Sequence, residues 1–251
     1  MSGALLSVRG LTKRYGALVV NAGVDIDVAE GRLHALIGPN GAGKTTLVHQ
    51  VSGMLKSDAG SIAFDNEDIT ALDMPARVRR GLVRSFQITS ILPEYTVLEN
   101  VALAAQARRS SSYRFFGKVA RDKALNAAAA QALERVGLSA RAAIGAGALS
   151  HGEKRLLEIA TALALKPRLL LLDEPFAGLG QEESAACIEL LKQLKTEFAI
   201  LLIEHDMDAV FLLADTLSVL VNGRILASGA PEAIRVDPLV RTAYLGDGEA
   251  A

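Results

Sequence analysis

Gly38, Gly43, Lys44 and Thr45 hold the fixed places of the pattern G-x-x-x-x-G-K-[ST] within GPNGAGKTT. Glycines let backbone N–H groups turn inward around an anion with no side chain in the way, and a helix that follows adds the positive end of its dipole. Gly38, Pro39, Asn40, Gly41, Ala42, Gly43, Lys44, Thr45 and Thr46 are therefore expected to cradle nucleotide phosphates. Lys44 would reach the β- and γ-phosphates, and Thr45 would offer its hydroxyl to Mg²⁺. RLLLLDE, residues 168–174, brings a second chemistry. Asp173 at the end of an apolar strand is expected as a further Mg²⁺ contact, and Glu174 beside it as the base that orients and deprotonates a water. His205 follows another apolar run, Phe198–Ile203, and should emerge at the same sheet edge as a γ-phosphate contact. Ser150 and Gly152, in ALSHGEK, combine a hydroxyl, a glycine amide and a helix start, which makes a second anion-binding end. Ser150 with Glu153 also fits a capping box, and both readings hold together.

These groups need particular elements behind them. Leu33–Ile37 is an apolar run ahead of the glycines, and Leu47, Val48, Val51, Met54 and Leu55 share a helical face after them, so strand, loop and helix are expected in that order. Leu6/Val8 and Val24/Ile26/Val28 alternate as half-buried antiparallel strands do. Tyr15 lies between them, where it could stack on adenine or pack on an edge strand; the residues alone leave both open. Ser61–Phe64 reads as a strand, Pro75 opens a helix, and Leu82–Phe86 reads as a strand ending at Gln87, which could contact Mg²⁺ or be a surface amide. Residues 88–150 change character. Alanine-rich helical patterns at Val101–Ala107 and Lys118–Val136, the second with Leu125, Ala129, Ala132 and Val136 on one face, point to a helical subdomain inserted into a core made of residues 1–87 and 159–251. Ile91, Leu92 and Tyr95 read as exposed apolar side chains, and Arg108–Lys118 as a surface loop rather than a nucleic-acid or lipid contact. Gln181–Lys195 is an amphipathic helix, and Asn222–Gly223 is the turn of a hairpin formed by Leu217–Val221 and Arg224–Ala227.

Composition sets the outer bounds. The chain of 251 residues suits one large domain or a core with an insertion. A formal net charge of −1 argues against an overall polyanion binder. The single cysteine, Cys187, excludes an intramolecular disulfide framework; it falls on a helical face with Leu190, Leu191 and Leu194 and reads as core filler. No apolar run reaches the length of a membrane span, so the chain is not expected to cross a bilayer by itself.

In order along the chain, these motifs resemble the ATP-binding-cassette (ABC) family over nearly the whole length. The resemblance implies an α/β P-loop NTPase fold with an antiparallel β subdomain and an inserted helical subdomain. Tyr15 is similar to the family's adenine-stacking position, GPNGAGKT to its Walker A motif, Gln87 to its Q-loop, LSHGE (149–153) to its signature, LLLLDE to its Walker B motif with catalytic Glu174, and His205 to its switch histidine. Two departures stand out. The signature reads LSHGE where LSGGQ is commonest, keeping Ser150 and Gly152, and the D-loop position, usually aspartate, is Gly180. Within the family, EHDMDAVFLLAD (204–215) and VRTAYLG (240–246) resemble ATPase subunits of branched-chain amino-acid and of urea or amide importers; DEPFAG (173–178) also occurs in a lipopolysaccharide-export ATPase. The resemblance implies ATP and Mg²⁺, a second cassette subunit, two membrane-spanning permease subunits, an extracytoplasmic substrate-binding protein, and a peripheral place on the cytoplasmic face of the inner membrane. A soluble cassette acting on nucleic acid typically carries two cassettes or long coiled coils; neither a repeat nor a heptad run is present, and no nucleic-acid partner is expected.

Overall fold

The computed structural model describes residues 3–85, 91–107 and 122–242. Gln87 and the basic loop Arg108–Lys118 lie outside these, as does most of VRTAYLG. In chain order the elements are β1 (Ala4–Tyr15), β2 (Leu18–Ala29), β3 (Leu33–Ile37), α1 (Lys44–Ser52), β4 (Ala59–Phe64), β5 (Glu67–Asp68), α2 (Met74–Arg79), β6 (Leu82–Arg84), α3 (Val97–Ala107), α4 (Lys123–Arg135), α5 (His151–Ala164), β7 (Leu169–Asp173), α6 (Gln181–Leu194), β8 (Ala199–Ile203), α7 (Met207–Leu213), β9 (Thr216–Val221), β10 (Arg224–Gly229), α8 (Pro231–Val236) and α9 (Pro238–Val240).

The strands form two sheets among the described residues. One is antiparallel with order β2-β1-β4-β5; the other has order β10-β9-β3-β8-β7-β6. In the second, β3, β6, β7, β8 and β9 run parallel to their neighbours, and the β9–β10 hairpin closes one edge antiparallel. Both faces of this sheet are covered, which explains its unbroken apolar runs. Leu170, Leu172, Ile200 and Leu202 point into a core shared with α3 to α8, whereas Leu169, Leu171, Ala199 and Leu201 point to the opposite side. That second core contains α1 and the inner faces of β1, β2 and β4, where Leu6, Val8, Ile26 and Val28 alternate inward. The phosphate-loop helix is thus clamped between two sheets. Cys187 is buried as expected, and burial pushes its thiol up to about 12.

Two local readings are corrected by the structure. The face of α1 was expected to run on through Met54, but the helix stops at a left-handed C-cap, Gly53 (φ 82°), and Met54 is half exposed. The helix expected at Val101 starts at Val97. Thr96 and Glu99 form its capping box: Glu99 N–H donates to Thr96 Oγ1 at 3.2 Å, and Thr96 N–H donates to Glu99 Oε2 at 2.8 Å.

The C-terminus of α1 is held by Arg77, which is buried. Its Nη1 donates to Gln50 O (2.8 Å) and Val51 O (2.7 Å), its Nη2 to Thr70 O (3.0 Å) and its Nε to Leu72 O (3.0 Å). One guanidinium thereby satisfies helix-end carbonyls that would otherwise be orphaned. Arg77→Ala is expected to cost about 3 kcal/mol, from buried acceptors left without donors, and to lower the melting temperature by roughly 6–12 °C. Thermal unfolding by circular dichroism checks this, and a melting temperature equal to wild type would show that the cap contributes nothing.

Candidate nucleotide site

The phosphate loop joins β3 to α1, and its shape depends on how closely neighbouring chain approaches it. A Cβ at Gly43 (φ 104°) would lie 2.6 Å from the Asn21 side-chain amide and 2.8 Å from Val20 O, so only glycine fits against β2 there. Asn21 is fully buried beneath the loop, with its side-chain amide donating to Val20 O and Gly43 O. Gly223, in the β9–β10 turn, donates its N–H to Ala42 O at 3.0 Å, and its carbonyl accepts from Ala22 N–H at 2.8 Å. Asn222 and Gly223 both have positive φ, as the expected tight hairpin turn requires. Lys44 folds back over the loop, donating from Nζ to Gly38 O (2.5 Å) and Pro39 O (3.1 Å). Burial lowers its pKa, opposed by the charges of Glu174 and Asp173. Thr45 is exposed and Thr46 half-buried at the first turn of α1.

The acids and the histidine meet that loop at the carboxyl ends of β7 and β8. Glu174 has φ 49°, off the regular strand path, while its N–H still donates to Ile203 O at 2.9 Å. This turns its carboxylate out of the ladder, where it stays half exposed. His205 Nδ1 stands 3.8 Å from Glu174 Oε1 and 3.6 Å from Glu204 Oε2. Lys44, Asp173, Glu174 and His205 are therefore brought to one edge.

Two residues behind this edge went unassigned in the sequence. Glu204 is fully buried; its Oε1 accepts from Phe176 N–H (3.0 Å), and its Oε2 accepts from His205 N–H (2.8 Å) and Asp206 N–H (3.2 Å). A single carboxylate thus ties the loop after Glu174 to the loop carrying His205. Arg84, buried on β6, donates from Nη2 to Asp173 Oδ2 at 2.8 Å and from Nη1 to Met54 Sδ at 3.2 Å. No sequence spacing foretells either, because Phe176 lies 28 residues from Glu204 and Asp173 lies 89 residues from Arg84.

Of the residues expected to hold a metal, those described are Thr45, with a hydroxyl, and Asp173, with a carboxylate. These hard oxygens, one of them anionic, suit Mg²⁺, which takes few protein ligands and completes its shell with phosphate and water. No cluster of three or more His, Cys, Asp or Glu that could cage an ion exists among the described residues. Tyr15 ends β1 with its ring half exposed and Lys13 Nζ 5.6 Å from the ring centroid; it projects to solvent beside the exposed Leu18. A ring so placed is free to stack rather than to pack an edge.

The segment expected to form a second anion end is a true helix start. Ser150 caps α5, its Oγ accepting from Glu153 N–H at 3.1 Å, and Glu153 Oε2 accepts from Ser150 N–H at 2.9 Å. Arg141 pairs with Glu153 at 2.7 Å and holds its carboxyl below the usual range. Gly152 is buried, with Glu183 of α6 packed against its Cα. Among the described residues no hydrogen bond joins Ser150 or Gly152 to residues 38–46, so the two expected anion-binding ends are not linked by hydrogen bonds within one chain.

Comparison with known proteins agrees with this architecture. The ABC transporter family matches residues 22–177, and the branched-chain amino acid ATP-binding cassette transporter family matches residues 224–250. The chain is 40% identical, over 98% of its length and 100% of theirs, to the high-affinity branched-chain amino acid transport ATP-binding proteins BraF of Pseudomonas aeruginosa and LivG of Escherichia coli K12. Among solved structures, the ADP conformation of an ATP-binding cassette of an ABC transporter matches with TM-score 0.88 and 33% identity, over 97% of this chain and 99% of that one. A nucleotide-free cassette matches with TM-score 0.88 and 32% identity, over 97% and 100%. No helix among the described residues is long and apolar enough to cross a membrane. With its P-loop core, antiparallel β subdomain and inserted helical subdomain, this chain belongs to the ABC transporter family.

Proposed function

We propose that this chain is the ATP-hydrolysing subunit of an ABC importer that energises uptake of branched-chain amino acids or related small amides and urea. The observation that carries the reading is the convergence of Lys44, Asp173, Glu174 and His205 at one sheet edge beside the phosphate loop. Tyr15 would stack on adenine, while the amides of residues 38–46 and the Lys44 ammonium hold the phosphates. Lys44 would exchange the Gly38 and Pro39 carbonyls for phosphate oxygens. Thr45, Asp173 and, by family resemblance, Gln87 would hold Mg²⁺, which neutralises charge on the phosphates. Glu174 takes a proton from water as the water oxygen bonds to the γ-phosphorus, and the bond to the β–γ bridging oxygen breaks to release ADP. His205 and Lys44 stabilise the charge on the transferred group.

Ser150 and Gly152 complete the site only from a second cassette, identical or related, packed head to tail. Triphosphate then favours the closed pair, and hydrolysis releases it. Residues 88–158 form the helical subdomain in this reading, the division falling within α5, and the chain sits against two permease subunits at the cytoplasmic face of the inner membrane. An extracytoplasmic binding protein delivers the substrate.

The permease contact is the segment leading into α3. Leu92 and Tyr95 are exposed, whereas Ile91, expected to be exposed, is partly buried against the main core. Buried Asn100 fixes the segment, accepting from Leu92 N–H at 2.8 Å and donating to Leu92 O at 3.0 Å. A cleft of about 240 Å³ opens beside it, lined by Arg84, Ile91, Leu92, Leu103 and Glu158 among others. Burial pushes Glu158 up to about 7 although Arg155 pairs with it at 2.7 Å, and Glu158 Oε1 has no hydrogen-bond partner. A cleft with a mostly apolar lining suits a short permease helix. Leu92→Asp with Tyr95→Asp, which spares the packed Ile91, is expected to leave ATP binding unchanged and to cut uptake by reconstituted vesicles at least about tenfold, a loss of roughly 1.4 kcal/mol of coupling. Undiminished uptake would rule out this contact.

A further inference from the structure

The signature's unusual residue, His151, makes a contact that a glycine at the same place could not make. It is exposed at the start of α5, and its Nε2 lies 3.2 Å from Ala177 O, in the loop between Glu174 and α6. A carbonyl only accepts, so Nε2 carries the proton. The same nitrogen covers Gly178 (φ 76°), where an added Cβ would lie 2.9 Å from it. That loop is short and folded on itself: Ala177 N–H donates to Glu174 O at 3.2 Å, and Leu179 N–H to Phe176 O at 3.1 Å. Glu183 makes a second link. Its Oε2 accepts from Gly180 N–H at 3.2 Å, while its Oε1 packs against Gly152. The start of α5 and the loop carrying Glu174 are therefore fastened to each other within one chain. Gly180 contributes no side chain to this arrangement.

We propose that His151 is a positioning residue: it ties the Ser150–Gly152 anion end to the loop that carries the same chain's Glu174, so that phosphate bound at that end is registered at Glu174. The proposal rests on the two-cassette ATPase reading above, in which the phosphate at Ser150–Gly152 belongs to the nucleotide on the other cassette. Filling one site thus sets the base of the other, through a side chain in the signature rather than a D-loop carboxylate. His151 touches no reacting atom; it acts through the Ala177 carbonyl and the turn that joins Ala177 to Glu174.

The test uses the full chain with its membrane subunits and reads amide hydrogen exchange in a Glu174→Gln background, where nucleotide stays bound. Adding ATP should slow exchange both in residues 38–46 and in residues 174–180. In His151→Phe, which keeps a ring over Gly178 but offers no donor, residues 38–46 should still slow while residues 174–180 should not. His151→Gln, which retains a donor, should restore the second effect. With Glu174 intact, His151→Phe should lower kcat by about ten- to a hundredfold with KM for ATP unchanged, as misplacement of a base does. Undiminished protection of residues 174–180 in His151→Phe, or no rescue by His151→Gln, overturns the proposal while leaving the nucleotide reading intact. Failure of residues 38–46 to slow in the parent chain overturns the nucleotide reading, and the proposal with it.

Discussion

Glu174→Gln is expected to bind ATP as tightly as wild type and to hydrolyse it about 10²–10⁴ times more slowly, the usual contribution of a positioned general base. Glutamine keeps the length and shape of the side chain, tolerates the φ of 49° no worse than glutamate, and leaves the Glu174 N–H to Ile203 O bond untouched. It removes only the proton-accepting oxygen. The neighbours do not replace it. Asp173 is engaged by the buried Arg84, Glu204 is buried on three backbone amides, and His205 stands 3.8 Å from the Glu174 carboxylate. Single-turnover release of phosphate, measured beside equilibrium binding of a fluorescent ATP analogue, separates chemistry from affinity. Phosphate release at the wild-type rate would mean that another group takes the proton.

Glu204→Ala should be the most damaging change among residues that do not touch the nucleotide. It leaves the buried amide of Phe176 and the partly buried amides of His205 and Asp206 without their acceptor. Each unsatisfied buried donor costs about 1–3 kcal/mol, so the loss is on the order of 4 kcal/mol, a large share of the roughly 5–15 kcal/mol by which domains are stable. A fall in melting temperature of about 10 °C is expected, together with loss of turnover, because the loops of Glu174 and His205 lose their common anchor. Glu204→Gln discriminates further. Its single carbonyl oxygen can serve Phe176 or the His205–Asp206 pair but not both, since the amide nitrogen only donates. An intermediate effect on both stability and turnover should follow; wild-type values for both would remove Glu204 from this role.

Much of the site could be read from spacing because its pieces are local. The glycine pattern, the Ser150–Glu153 box and the leucine run of residues 169–172 each dictate structure within a few residues. Where the reading fell short, the deciding partner was distant. Nothing near Glu204 in the chain reveals that Phe176 N–H will arrive 28 residues away, nor near Arg84 that Asp173 will lie 89 residues on. Arg77 looks like an ordinary helix arginine until α1 ends over it. Met54 shows the opposite failure: periodicity continued in the sequence, but the left-handed turn at Gly53 ended the helix first. The Thr96–Glu99 box was there to be read, and would have moved the start of α3 back to Val97.

The amide of Gly223 on Ala42 O has a consequence for how the protein is made. Strand β3, which leads into the phosphate loop, lies between β8 and β9, and the loop itself rests on a turn about 180 residues downstream. During synthesis the glycines and Lys44 leave the ribosome early, yet the scaffold that shapes them is complete only once residues 216–229 have been added. A nascent chain therefore has no finished pocket in which to trap nucleotide, and the capacity to bind it arrives together with the nearly complete fold.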